Sequence, residues 1–133
     1  MKQTSEISPG APAAPDAANT GTLPDSMVLS QDGKTAYVAE ADQDAIAVVD
    51  LTNQSVKTIS VNPYPNAPFG IAPNGLGLSP DGQRLYVTDG MLNAVGVYSP
   101  ADNTWLGQVP VGWYPTAVLT DPVTGKVFVA NST

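Results

Sequence analysis

Glu40, Asp42 and Asp44 alternate in the stretch EADQDA, and carboxylates spaced this way are the side chains that gather a hard cation such as calcium. A calcium loop of the EF-hand type needs Gly at its sixth position and a chelating Glu at its twelfth. Counted from Asp42, those positions hold Ala47 and Asn53, so the three acids are expected to form a solvated turn and no metal site is assigned. In NGLGLSPDG, Gly75 and Gly77 start a dinucleotide fingerprint, but Pro80 stands where the third Gly belongs and no helical pattern follows. DPVTGKV lacks the upstream Gly and the trailing Ser or Thr of a phosphate loop and reads as a hairpin turn. The chain has no His and no Cys. The usual general base, the commonest zinc ligand and every thiolate site are therefore missing, and no hydroxyl has a base to activate it. No catalytic residue and no cofactor are assigned.

Four aromatic side chains offer a different chemistry. Tyr64, Phe69, Trp113 and Tyr114 fall in two longer connections, NPYPNAPFGIAPNG and GWYPT, where NPYP and GWYP are read as equivalent. They are candidates for contact with a protein or small-molecule ligand. The competing reading is that Tyr64 and Tyr114, each before a proline, wedge between neighbouring sheets while the proline holds the chain extended.

The elements that must position these residues repeat. MVLSQDGKTAYVAEADQDAIAVVDL (27–51) lies on LGLSPDGQRLYVTDGMLNAVGVYSP (76–100) without a gap, pairing Leu29 with Leu78, Asp32 with Asp81, Gly33 with Gly82, Tyr37 with Tyr86 and Val48 with Val97. A third copy begins at AVLTDPVTGKVFVANS, with Phe128 at the tyrosine position. In each copy Asp-Gly closes a turn between apolar runs, because Asp bonds the backbone ahead of it and Gly accepts a positive φ. TAYVAE and RLYVTD alternate like strands, AIAVVDL and AVGVYSP follow, and SVKTISV and TWLGQVPV make a fourth strand after polar TNQ or ADN turns.

A four-stranded antiparallel meander of roughly 40 to 50 residues is a propeller blade by period and strand count. The expected fold is thus all-β: part of a β-propeller, with two four-stranded antiparallel blades at about 23–66 and 67–114 and the start of a third at 115–133. A self-contained sandwich of about ten strands is the alternative. Tyr86, flanked by a blade on each side, is expected to contribute more to stability than Phe128.

Residues 1–22, rich in Pro, Ala, Ser and Gly, show no periodicity and are expected to be a disordered leader or linker. Lys2 is followed by polar residues, so no secretory signal peptide is visible. With 12 acids against 5 Lys and Arg, and a formal net charge of −7, the chain does not fit nucleic-acid backbone binding. No apolar run approaches the roughly 20 residues of a membrane helix. The 42% hydrophobic content suits a packed core.

Leu78 to Gly112 resembles the YVTN β-propeller repeat, whose signature tetrapeptide stands here as Tyr86-Val87-Thr88-Asp89, with Asp in place of Asn. AYVAEADQDAIAVVDL and VFVANS are similar to it. The resemblance covers about residues 23–133 and implies a propeller usually of seven blades, completed by the remaining blades of a longer parent chain, in a periplasmic or extracellular setting. VPVGWYPTAV (109–118) with GKVFVANS further resembles propellers that precede a phosphoesterase domain of the alkaline phosphatase superfamily. Two functions follow as expectations. One is a non-catalytic binding or surface-assembly scaffold. The other is the front part of such a phosphoesterase or, as a weaker option, of a propeller lactonase, with catalytic residues outside this chain.

Overall fold

A computed structural model of the chain describes residues 23–67 and 69–132. Ten strands follow one another: β1 (Pro24–Leu29), β2 (Thr35–Glu40), β3 (Ala45–Asp50), β4 (Ser55–Ser60), β5 (Pro73–Leu78), β6 (Leu85–Asp89), β7 (Ala94–Ser99), β8 (Thr104–Pro110), β9 (Pro115–Thr120) and β10 (Val127–Asn131). They form two antiparallel sheets, β1-β2-β3-β4 and β5-β6-β7-β8, and a β9-β10 pair. The fold is all-β, with two complete blades and two strands of a third. The expected leader at 1–22 lies outside the described residues.

The Asp-Gly turns close as local chemistry dictates. In the first, Asp32 Oδ1 accepts from Lys34 N at 3.0 Å and from the Ser30 hydroxyl at 2.7 Å, while Gly33 takes φ 70°. Asp81, Ser79 and Gly82 repeat this geometry, and Gly82 has φ 72°. Asp121 accepts from Val123 N at 2.9 Å and from the Thr124 hydroxyl at 2.5 Å, ahead of Gly125 at φ 73°. Hydroxyl donation, then backbone donation, holds Asp32, Asp81 and Asp121 below the ordinary carboxylate range.

Alternation along each strand gives every blade two apolar faces. Leu76, Leu85, Val87 and Tyr98 on the leading face of the second blade meet Tyr37, Ala39, Ile46 and Ile59 on the trailing face of the first. Trp105 joins them, its ring centroid 5.0 Å from that of Tyr98 and its Nε1 donating to the Ser60 carbonyl at 2.8 Å. Ala36, Val38, Ala47 and Val49 line the leading face of the first blade. The first strands approach closely where blades converge. A Cβ at Gly75 would lie 2.5 Å from Thr88 Oγ1 and 3.1 Å from the Ala117 Cα, so β5 meets β9 there only with glycine.

Burial of the three equivalent aromatics grades along the array. Tyr37 is 6% exposed, Tyr86 is half-buried and Phe128 is 57% exposed. Tyr37 faces a complete blade, whereas Tyr86 faces only β9 and β10. The expected solvated acidic turn is also revised: a short 3-10 turn (Ala41–Gln43) exposes Asp42, while Glu40 and Asp44 are buried at 1% and 2% exposure.

Candidate functional site

A four-stranded meander puts its two hairpin turns at one end and its β2–β3 turn and blade-to-blade connection at the other. The second, connection end gathers Tyr64, Phe69, Trp113 and Tyr114 together with the 3-10 turns at Ala41–Gln43 and Gly90–Leu92. Asp44 and Asn93, the left-handed residues that close those turns at φ 47° and 53°, organise it. Short polar side chains tolerate this backbone region.

Asp44 receives three backbone N–H groups from the connection: Gly70 at 2.6 Å on Oδ2, and Ile71 at 2.9 Å and Ala72 at 3.0 Å on Oδ1. Its carbonyl accepts from Val61 N at 2.9 Å. Asn93 repeats the device with an amide, its Oδ1 accepting from Tyr114 N at 2.8 Å and its carbonyl from Val111 N at 2.9 Å. The bonds to Ala72 N and Tyr114 N support strained residues directly before a proline, with φ 55° before Pro73 and φ 45° before Pro115; Leu23 before Pro24 also has φ 39°. Left-handed backbone costs a non-glycine residue about 1–2 kcal/mol.

These positions correct the expected pairing of NPYP with GWYP. Tyr114-Pro115 corresponds to Ala72-Pro73, since Pro73 and Pro115 open β5 and β9. Pro63-Tyr64-Pro65 belongs to the inserted part of the first connection. The proline therefore does not hold Tyr114 extended, because the side-chain oxygen of Asn93 binds its N–H in the left-handed form.

Tyr114 is half-buried, with its ring against Gly90, where an added Cβ would lie 3.0 Å from the ring. Tyr64, Phe69 and Trp113 are 59%, 84% and 67% exposed. They share the end with Met91 and Leu92, at 62% and 40%. Hydrogen bonds from Gly90 N and Met91 N to the Ala72 and Ile71 carbonyls join the second turn to the first connection, so these side chains stand on one bonded frame.

Charge divides between the ends. Among the described residues, Asp25, Glu40, Asp42, Asp44 and Asp89 lie at the connection end, which has no Lys or Arg. Lys34, Arg84 and Lys126 flank hairpin turns, and Lys57 Nζ reaches the hairpin end by donating to Asn103 Oδ1 at 2.9 Å. Asp89, 1% exposed, is pushed up to about 7, first by burial and then by the nearby Asp44 charge, against the opposing Gln108 amide. Gln108 Nε2 donates to Asp89 Oδ2 at 3.2 Å, while Asp89 Oδ1 and Glu40 Oε1 are buried without a donor. Burial raises Glu40 as well. No group of three metal-ligating side chains converges among the described residues.

An open groove of about 310 Å³ runs between the first connection and β8, lined by Val61, Pro63, Trp105, Leu106, Gly107 and Gln108. Sequence reading missed Asp44, Asn93 and Asp89 as the organisers of this end. The usable signal was the Asp or Asn placed 49 positions apart before Ala-Ile and Ala-Val, since these residues favour left-handed turn closure.

No protein-family model matches the chain, and no curated protein sequence matches it. Solved structures do. A chain of Kuenenia stuttgartiensis hydrazine synthase is similar at TM-score 0.74 and 22% identity, over 92% of this chain and 33% of that one. A 6-phosphogluconolactonase-like protein of Bacteroides fragilis is similar at 0.68 and 21%, over 83% and 32%. The β-propeller domain of Cps50 (Swd1) from Myceliophteria thermophila follows at 0.65 and 13%, over 81% and 32%. The chain spans about a third of the length of these structures. Likeness at this level of identity establishes the propeller fold.

Proposed function

We propose that this chain is a non-catalytic segment of a YVTN-type propeller whose connection end contacts a partner, so that the protein serves as a binding or surface-assembly scaffold. The contrast between its two ends carries this reading. Hairpin-end acids are engaged in turn closure, as with Asp32, Asp81 and Asp121. The exposed apolar side chains of that end, Leu29, Leu51 and Val123, are aliphatic, whereas the connection end exposes the aromatics Tyr64, Phe69 and Trp113 on a hydrogen-bonded frame. Large exposed apolar side chains held on rigid backbone are what interfaces use. The tetrapeptide Tyr86-Val87-Thr88-Asp89 supports the YVTN assignment, and further blades of a parent chain in an exported setting belong to the same reading. Among the described residues, Asp89 is the acid held nearest neutrality, and its 1% exposure keeps it from reaching a substrate.

A second reading, the propeller part of a lactonase, draws on the similarity to the 6-phosphogluconolactonase-like protein. The front part of a phosphoesterase draws on VPVGWYPTAV. One assay separates these readings from the scaffold. The chain is incubated with a phosphomonoester and with a lactone, with and without zinc, calcium or magnesium, and is expected to give no turnover above buffer. Turnover abolished by substituting a residue of this chain would overturn the scaffold reading.

A further inference from the structure

We propose that the connection end docks a cationic polypeptide segment, with Trp113, Phe69 and Tyr64 covering the stems and cations of Lys or Arg side chains and Asp42 and Asp25 setting the sign of the partner. The inference rests on the scaffold reading and names the chemistry of its partner.

Three observations converge on it. Three aromatic side chains are exposed at this end, Phe69 at 84%, Trp113 at 67% and Tyr64 beside them. Aromatic faces attract ammonium and guanidinium groups, and long basic side chains lay their methylenes on such surfaces. The exposed acids here, Asp25 and Asp42, have no Lys or Arg beside them, whereas the four described cations lie toward the hairpin end beside five acids of their own. A field of one sign over a surface with buried, low-dielectric backing selects partners of the opposite sign.

The backing is visible. The Asp44 carboxylate is buried on its three backbone donors, and Glu40 Oε1 and Asp89 Oδ1 are buried with none. The frame is also pre-formed, since Asp44 and Asn93 fix both connections and Tyr114 packs on Gly90. Ordering costs on docking are correspondingly small. An acidic peptide would meet the same aromatic surface against the field, and a neutral one without its help.

Fluorescence anisotropy with three labelled short peptides tests the proposal: one alternating Lys and Arg with Ala, its Glu counterpart, and a Ser-Ala version. The basic peptide should bind at least about tenfold more tightly than the acidic one, and lose about tenfold in affinity as salt rises from about 50 mM to about 500 mM. Trp113→Ala should weaken binding about tenfold and Asp42→Asn about threefold. Val123→Ala, at the exposed hairpin end, should leave it unchanged; both Trp113 and Val123 are largely exposed, so these variants should fold. Equal binding of all three peptides, loss of binding in Val123→Ala, or no binding of the basic peptide at low salt would overturn the proposal. Tighter binding of the acidic or neutral peptide that still depends on Trp113 would overturn the sign of the partner and leave the scaffold reading standing. Concentration-dependent self-association suppressed by Trp113→Ala would identify the occupant as a second copy and also overturn it. Turnover in the hydrolase assay is the separate result that removes the scaffold reading.

Discussion

The junction between the first and second blades is built with carboxylates, and the junction between the second and third with amides. Asp44 gathers three backbone N–H groups where Asn93, at the equivalent position, gathers one. Asp89 ends β6 where Asn131 ends β10. The carboxylate is the stronger acceptor, but its charge falls on Asp89, which burial and Asp44 together push up to about 7. The difference teaches that one repeated device can be strong and pH-sensitive, or weaker and indifferent to pH, through the choice of oxygen or nitrogen at two positions.

The largest effect should come from the side chains that fill each junction. Tyr37→Ala is expected to cost about 4 kcal/mol, within the range for aromatic truncation in a core. Tyr86→Ala should cost about half that and Phe128→Ala less than about 1 kcal/mol, following exposure along the array. Denaturant unfolding of the three variants measures this, and equal losses would contradict the blade assignment.

Next are the clamps themselves. Asp44→Ala strands three N–H donors and should cost about 3 kcal/mol or more, against about 1–2 kcal/mol for Asn93→Ala, which strands one. A larger loss at Asn93 would break the comparison.

The third effect depends on pH. An unfolded Asp releases its proton near 4, whereas folded Asp89 holds it to about 7. Between these values the native state binds more protons than the unfolded state, so stability falls as pH rises from about 4 to about 7 and then levels. Asp89→Asn removes that slope. It should be close to neutral at pH 4 and stabilising by on the order of 3 kcal/mol at pH 8. Thermal unfolding across this range checks it, and a parallel shift at both pH values would rule out the titration of Asp89 as the cause.

The hairpin turns, strand alternation and blade period were legible because their causes lie within a few residues: Asp32 bonds Lys34, and Asp81 bonds Gln83. The clamp was not, because the partners of Asp44 lie 26 to 28 residues ahead. Local rules were misleading at Tyr114. A residue before proline favours extended backbone, and it is held left-handed by distant partners, the Asn93 side-chain oxygen 21 residues back on its N–H and Ser132 N on its carbonyl. The aromatic candidates were legible as a group but not in their separate roles, since Tyr114 turns onto Gly90 while Trp113 beside it faces outward.

Asp44 holds both ends of one loop, its carbonyl taking Val61 N and its carboxylate taking Gly70 N, and Asn93 holds Val111 and Tyr114 in the same way. The anchors fix where each connection leaves one blade and enters the next, whatever the length of chain between them. One repeat runs residues 62–69 through that gap and the next only 112–113, yet β5 and β9 both begin at a proline after a left-handed residue. Doubling a loop whose ends are fixed costs only about 0.6 kcal/mol. Evolution can therefore lengthen the first connection without moving the blades, and an engineer seeking a place to graft a foreign loop would find its boundaries already drawn by one aspartate.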